Sequence, residues 1–219
     1  MPEIKALIFD LDGVIVDTAV FHYQAWKRLA NEYGFDLTKD QNERLKGISR
    51  LESLDILLSI GGIEINSEEE KNQIANKKNE WYREYILKMT PNDILPGVKN
   101  FLIDLKNTNY KIAIGSSSKN ACTILEKIGF DGFFDAVVDG LKIVKSKPDP
   151  EVFLKAAQEL KTDPENCLVF EDAAAGIEAA KKAGMLAIGV GKFKNLNNAD
   201  KVIPDFKNIN AFMIDNLTK

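Results

Sequence analysis

The stretch "FDLDGVIVDT", Phe9 to Thr18, follows the apolar run "IKALI" and sets Asp10 and Asp12 one residue apart at its end, with Asp17 close behind. Carboxylates this close together beside apolar chain repel one another and are costly to desolvate. The pattern predicts a buried strand over Ala6–Leu11. Residues i and i+2 of a strand share a side, so both acids should lean over the carboxyl edge of a sheet. Ligands of open α/β sheets bind at that edge. Gly13 would let the backbone turn away.

Further along, other continuous apolar runs predict strands covered on both faces: Lys111–Gly115, Ala136–Val138, Cys167–Phe170 and Leu186–Val190. Helical patterns separate them. Asp149-Pro150-Glu151 reads as N-cap, first-turn proline and first-turn acid. Ile124, Leu125 and Ile128 mark a helix stopped by Gly129, and Ile177 with Ala180 one stopped by Gly184. Repeated strand-helix-strand order predicts an α/β fold: a Rossmann-like, doubly wound parallel sheet. From Phe21 to Met89 the rhythm breaks into helices alone, roughly 21–33, 40–46, 51–60 and 68–87. Thr90-Pro91-Asn92 and Leu95-Pro96-Gly97 punctuate the return. The expected organisation is a core of residues 1–17 and 91–219 with a helical cap domain, 18–90, inserted after the first strand.

The 219 residues are 45% apolar and 28% charged, with a net charge of -4. This composition carries no basic footprint for nucleic acid or acidic membrane. The N-terminal apolar run is short and broken by charge, and no stretch approaches a membrane span. Two cysteines, Cys122 and Cys167, lie outside any CxxC spacing and are expected as buried small side chains in a reducing, cytoplasmic protein.

Three more predicted strands end in polar groups. Ser116-Ser117-Ser118-Lys119-Asn120 follows "KIAIG", Glu171-Asp172 follows "CLVF", and Lys147 precedes Pro148. Singly these read more plainly: a turn and cap, first-turn acids, a surface lysine. Gathered at one edge they suit phosphoryl transfer. A hard cation such as Mg2+ takes carboxylate, phosphate and water oxygens and would neutralise the crowded acids. Ser116 and backbone N–H groups at a helix start could cradle phosphate, and Lys147 could balance its charge. One aspartate could attack phosphorus and its neighbour move a proton.

The four ordered segments "FDLDGVIVDT", the serine after "KIAIG", "SKPDPEVF" and "VFEDAAAGIEAAKKAG" resemble the motifs of the haloacid dehalogenase superfamily across the whole α/β core. Within it, "HYQAWKRLA", "LKGISRLESL" and "NKKNEWY" look like the cap of its sugar-phosphate mutases. The resemblance implies Asp10 as nucleophile, Asp12 as general acid/base with its carbonyl on Mg2+, and Ser116 and Lys147 on the transferring phosphate. Mg2+ would be held by Asp10 and Asp172, with Asp12 and Glu171 completing its surroundings. Thr18 matches a hinge. Arg50 would grip a distal phosphate as a bidentate fork, with Ser117, Ser118, Lys119 and Asn120 lining the same substrate space. Gly47 and Ser53 match sugar contacts. His22 and Lys78 (or the adjacent Lys77) would position Asp12, while Trp26 either packs or shapes the cavity. Without the resemblance, Arg50 reads as a solvated helix start and His22 as a cap or surface residue. Ala173 stands where relatives commonly carry serine, so tuning of the metal site is expected.

The implied reaction converts β-glucose 1-phosphate to glucose 6-phosphate through β-glucose 1,6-bisphosphate, in a monomer. The alternative is a phosphatase on the same scaffold, acting on a sugar phosphate or other small phosphomonoester. A silent binding protein is disfavoured by the intact acid, serine and lysine set.

Overall fold

Residues Ala6–Phe9 form strand β1, buried throughout. The computed structural model describes residues 3–45, 48–192 and 196–217. Strands β2 (Lys111–Gly115), β3 (Ala136–Val138), β4 (Cys167–Glu171), β5 (Leu186–Val190) and β6 (Lys201–Ile203) pair in parallel with it. The order across the sheet is β3-β2-β1-β4-β5-β6. Connections run one way from β1 to β3 and the other way from β4 onward, so the switch point lies between β1 and β4, where a ligand crevice is expected.

Alternation along the strands splits the core. Leu7 and Phe9 join the apolar cluster on the side of helices α5 (Val98–Lys106) and α6 (Ala121–Lys127), which also takes in the short α9 (Ile214–Leu217). Ala6 and Ile8 join the other, under α7 (Glu151–Glu159) and α8 (Ala174–Lys182). The doubly wound parallel sheet expected from the sequence is thus present. β1 is two residues shorter than expected, because the chain turns at Asp10. Strand β6 and helix α5 had no counterpart in the sequence reading: β6 is a three-residue edge strand with an exposed lysine. Helix α7 begins at Glu151, one residue later than its proline suggested, although Asp149 Oδ1 still accepts the Glu151 N–H at 3.1 Å.

Between β1 and α5 lie, among the described residues, four α-helices: α1 (Ala19–Glu32), α2 (Lys39–Glu43), α3 (Arg50–Gly61) and α4 (Glu68–Ile86). Their ends follow local chemistry. Thr38 with Gln41 and Ser49 with Glu52 form reciprocal capping boxes, and Gly62 closes α3 in the left-handed region. Ser67 caps α4, whose first turn carries Glu68, Glu69 and Glu70 against the helix dipole. Helices α1 and α4 pack on one another through Trp26, Leu29, Trp81 and Tyr82, in a cluster continuous with the core through Val14, Ile15 and Val16. Among the described residues no helix is long and apolar enough to cross a membrane.

Both cysteines are free. Cys167 is buried in β4, but Cys122 is exposed, contrary to expectation, because α6 turns Ala121, Ile124 and Leu125 inward and leaves Cys122 on its outer face.

Candidate active site

The register of β1 against β4 pairs Phe9 with Phe170, whose rings stack at 5.0 Å and 5°. The residues that follow are Asp10 and Glu171, and the ladder continues as the Asp10 N–H donates to the Phe170 carbonyl at 2.9 Å. Two acids distant in sequence are therefore neighbours. Asp10, Glu171 and Asp172 each bring a carboxylate oxygen within 4.8 Å of the others. Asp12, expected on the same strand face, lies beyond the strand in an isolated bridge with Val16. It reaches the acids through the turn instead.

Two glycines make the space. Gly13 has φ +88°, and a Cβ there would fall 2.0 Å from Asp172 Oδ2. A Cβ at Gly176, in the first turn of α8, would fall 1.5 Å from Glu171 Oε1. Glu171 also accepts the Asp172 N–H at 2.9 Å.

Lys147, which alone reads as a surface lysine, is buried. Its ammonium bonds Asp10 Oδ1, lies 3.4 Å from Glu171 Oε1 and sits 4.7 Å from the centre of the Phe153 ring. Burial opposes its charge, but Asp10 and Glu171 more than offset that and hold its pKa above the ordinary lysine value. The Lys147–Pro148 peptide is cis. Burial, together with the charges of Asp10 and Asp172, pushes Glu171 well above the usual carboxylate range despite Lys147. Ser116 is buried at the end of β2; its hydroxyl accepts the Ser118 N–H at 3.1 Å, and Ser118 Oγ accepts the Asn120 N–H at 3.2 Å. The three-serine loop is thus a tight turn aimed at the same edge. Lys119 is exposed.

The inserted helices supply a second polar group. Thr18 occupies the N-cap position of α1 yet makes no cap hydrogen bond; its hydroxyl donates to Asp12 Oδ1. Desolvation, then the charges of Asp10 and Asp172, push Asp12 up to about 8, with the exposed Asp17 a smaller contributor. Lys78 Nζ lies 2.8 Å from His22 Nδ1 and 4.3 Å from the Trp26 ring centre. Burial of the imidazole and the nearby ammonium lower the His22 pKa well below 6.5. The ring is therefore neutral at pH 7, and it is paired with Lys78 through Nδ1. Burial and the charge of Arg50 in turn lower the pKa of Lys78. Lys77 points away, paired with Glu32 at 2.7 Å, so of the two candidate lysines Lys78 is the one beside His22.

Arg50 opens α3, half-buried, with Nη1 3.4 Å from Asn76 Oδ1. Ser53 is buried, and its hydroxyl lies within hydrogen-bond distance of the Leu45 and Ser49 carbonyls, at 3.0 and 2.9 Å. Gly47 lies outside the described residues. Two partners absent from the sequence reading emerge. Asn79 Oδ1 accepts from Asn120 Nδ2 at 3.3 Å, joining α4 to the start of α6. Tyr82, one turn after Lys78, stacks on His22 at 4.0 Å. The spacing Ile74, Lys78, Tyr82 on one helix face was the available signal. Ser117 Oγ and Tyr82 Oη are buried without a hydrogen-bond partner among the described residues.

Crowded carboxylates with their Cβ-free surroundings fit a hard divalent cation, which would bind Asp10, Glu171 and Asp172. A carboxylate beside a buried ammonium, with a second carboxyl raised to about 8 close by, is an arrangement that suits attack on phosphorus with proton transfer.

Fold and site thus define a phosphotransferase-type α/β enzyme, and a family model described as "Haloacid dehalogenase-like hydrolase" matches residues 7–190. The chain belongs to that family. It is 48% identical over 200 residues to "Beta-phosphoglucomutase" of Bacillus subtilis, covering 91% of this chain and 88% of that protein. It is 33% identical to "Phosphorylated carbohydrates phosphatase" of Thermotoga maritima, covering 91% and 90%. The crystal structure of β-phosphoglucomutase from Clostridium difficile superposes with a TM-score of 0.92 at 45% identity, covering 98% of this chain and 97% of that one.

Proposed function

We propose that the chain is a β-phosphoglucomutase that interconverts β-glucose 1-phosphate and glucose 6-phosphate. The observation that carries this over simple hydrolysis is the buried polar network of the insert, His22 with Lys78 at 2.8 Å, placed within electrostatic reach of Asp12. Burying a lysine is costly, and delivering water to a core phosphoryl group does not require one. Similarity to the Bacillus subtilis and Clostridium difficile mutases supports the same reading.

In this reading Asp10 first carries a phosphoryl group taken from β-glucose 1,6-bisphosphate. The 6-hydroxyl of β-glucose 1-phosphate attacks that phosphorus, Asp12 takes the hydroxyl proton, and Asp10 leaves as a free carboxylate, giving β-glucose 1,6-bisphosphate. The bisphosphate returns in the opposite sense; Asp10 attacks the phosphorus at its 1-position, the sugar oxygen leaves with the proton held by Asp12, and glucose 6-phosphate departs from the renewed aspartyl phosphate. Ser116, the backbone of the three-serine loop and Lys147 hold the transferring phosphate. Arg50, Lys119 and Asn120 hold the distal one, and His22 and Lys78 turn Asp12 toward the sugar. Asp10, Glu171 and Asp172, with the Asp12 carbonyl, would hold Mg2+, which would supply charge neutralisation for the phosphoryl group. The cap would comprise residues 18–90 and the core 1–17 with 91–219, in a cytoplasmic monomer.

The second reading, a sugar-phosphate phosphatase, is favoured by similarity to the Thermotoga maritima phosphatase. Product analysis with β-glucose 1-phosphate, Mg2+ and a trace of the bisphosphate decides between them. Glucose 6-phosphate should accumulate. Inorganic phosphate released without isomerisation would replace the mutase by the phosphatase.

A further inference from the structure

Lys147 reaches the acids from a segment that has little structure of its own. Residues 141–147 contain no helix or strand, and Leu141 and Val144 are 71% and 91% exposed. Ile143 rests against the core, but most of the segment has no such anchor. Its Val144 and Lys145 amides are held by one carboxylate. Both oxygens of Glu151 accept the Val144 N–H at 3.1 Å, and Oε2 accepts the Lys145 N–H at 2.8 Å. Lys155, one turn on, donates to Glu151 Oε1 and to the Lys142 carbonyl, both at 2.6 Å. These bonds hold Glu151 down to about 2, so it is ionised throughout the working range. Helix α7 thus ties the loop by its backbone at Glu151 and receives the Lys147 ammonium over Phe153, two residues further along the same helix.

From the sequence, Glu151 is an ordinary first-turn acid. The geometry points to a different role: Glu151 is a positioning residue for phosphoryl transfer, fixing through the Val144 and Lys145 amides the loop that delivers Lys147 to Asp10. It touches no reacting atom. Because the tied Lys145 amide is two residues from Lys147, Glu151 sets where the ammonium enters the cluster. Neutral glutamine keeps one acceptor oxygen but brings an N–H group against a backbone N–H, so it replaces only part of the tie. Alanine replaces none of it.

The mutase reading supplies the substrate for this inference, but Lys147 would serve phosphoryl transfer under either reading, so the test uses two reactions. In isomerisation of β-glucose 1-phosphate and in phosphate release from p-nitrophenyl phosphate, Glu151→Ala should lower kcat at least ten-fold with KM changed less than two-fold. Glu151→Gln should fall between it and the parent. The control is Glu159→Ala, which removes the Lys142–Glu159 pair of the same loop and helix but leaves the two amides bound. It should retain full kcat, even where its melting temperature falls with that of Glu151→Ala. Unchanged kcat in Glu151→Ala, or an equal loss in Glu159→Ala, overturns the role. Should Glu151→Ala fail to fold, Glu151→Gln against Glu159→Gln carries the same comparison. An enzyme that hydrolyses p-nitrophenyl phosphate but forms no glucose 6-phosphate refutes the mutase reading and leaves the Glu151 comparison intact.

Discussion

Gly13 shows how much of this site depends on a missing atom. Its φ of +88° lies where any residue with a Cβ is strained by about 1–2 kcal/mol, and the Cβ itself would overlap the Asp172 carboxylate. Gly13→Ala should therefore lower the melting temperature by roughly 3–8 °C and weaken Mg2+ activation more than ten-fold. Both are measurable, by thermal melts and by metal titration of activity; an unchanged metal requirement would remove Asp172 from the proposed set. At this scale Asp10 and Asp12 were legible, because a turn after an apolar run explains one acid better than two. Lys147 was legible only in combination with the other strand ends, since the environment that buries it is made by β1, β4 and Phe153. Lys78 was half legible: the helical period from Ile74 to Tyr82 puts it on the buried stripe and leaves Lys77 outside.

Elements were easiest to read where burial and capping agree. Strands β2, β3 and β5 match their apolar runs, and α3 begins where Ser49 and Glu52 form their capping box. Strand β6 escaped notice because three edge residues carry too little pattern to distinguish from loop. The capping box also aims Arg50, the first residue of α3. In the mutase reading Arg50 meets only the distal phosphate, so its effect should separate two reactions. Charge-assisted hydrogen bonds to a phosphate carry about 1.5–3 kcal/mol, or roughly 10–100-fold. Arg50→Ala should lose that much in isomerisation and less than about three-fold in hydrolysis of p-nitrophenyl phosphate, which has no distal phosphate. Steady-state rates on both substrates check this, and equal losses would withdraw the distal role.

For the whole molecule, the buried acids couple stability to pH. Asp12 rises from an ordinary 3.8 to about 8 in the fold. Between those values the unfolded chain releases a proton that the fold keeps, so stability falls as pH rises through that window. Glu171, also raised, acts in the same direction. Lys147 contributes fully below the ordinary lysine value and loses its contribution only above it. In chelator, Asp12→Asn should melt roughly 2–5 °C above the parent at pH 8, with the gap shrinking toward pH 5. A gap that is absent at pH 8, or constant across the range, would show that Asp12 is not held protonated by the fold. The parallel sheet was legible from the alternation of runs and helices, whereas the contact of Asn79 with Asn120 required the insert to be seated on the core.

The pairing of Phe9 with Phe170 has a further consequence. Because Asp10 and Glu171 are adjacent across the ladder, the length of chain separating them has no bearing on how far apart they stand. Extra residues can accumulate in that interval without moving either carboxylate, provided that the two strands stay in step. A four-helix insertion placed almost directly behind Asp10 is therefore compatible with an undisturbed acid cluster. A one-residue deletion inside β4 would shift every side chain beyond it to the opposite face and dismantle that cluster.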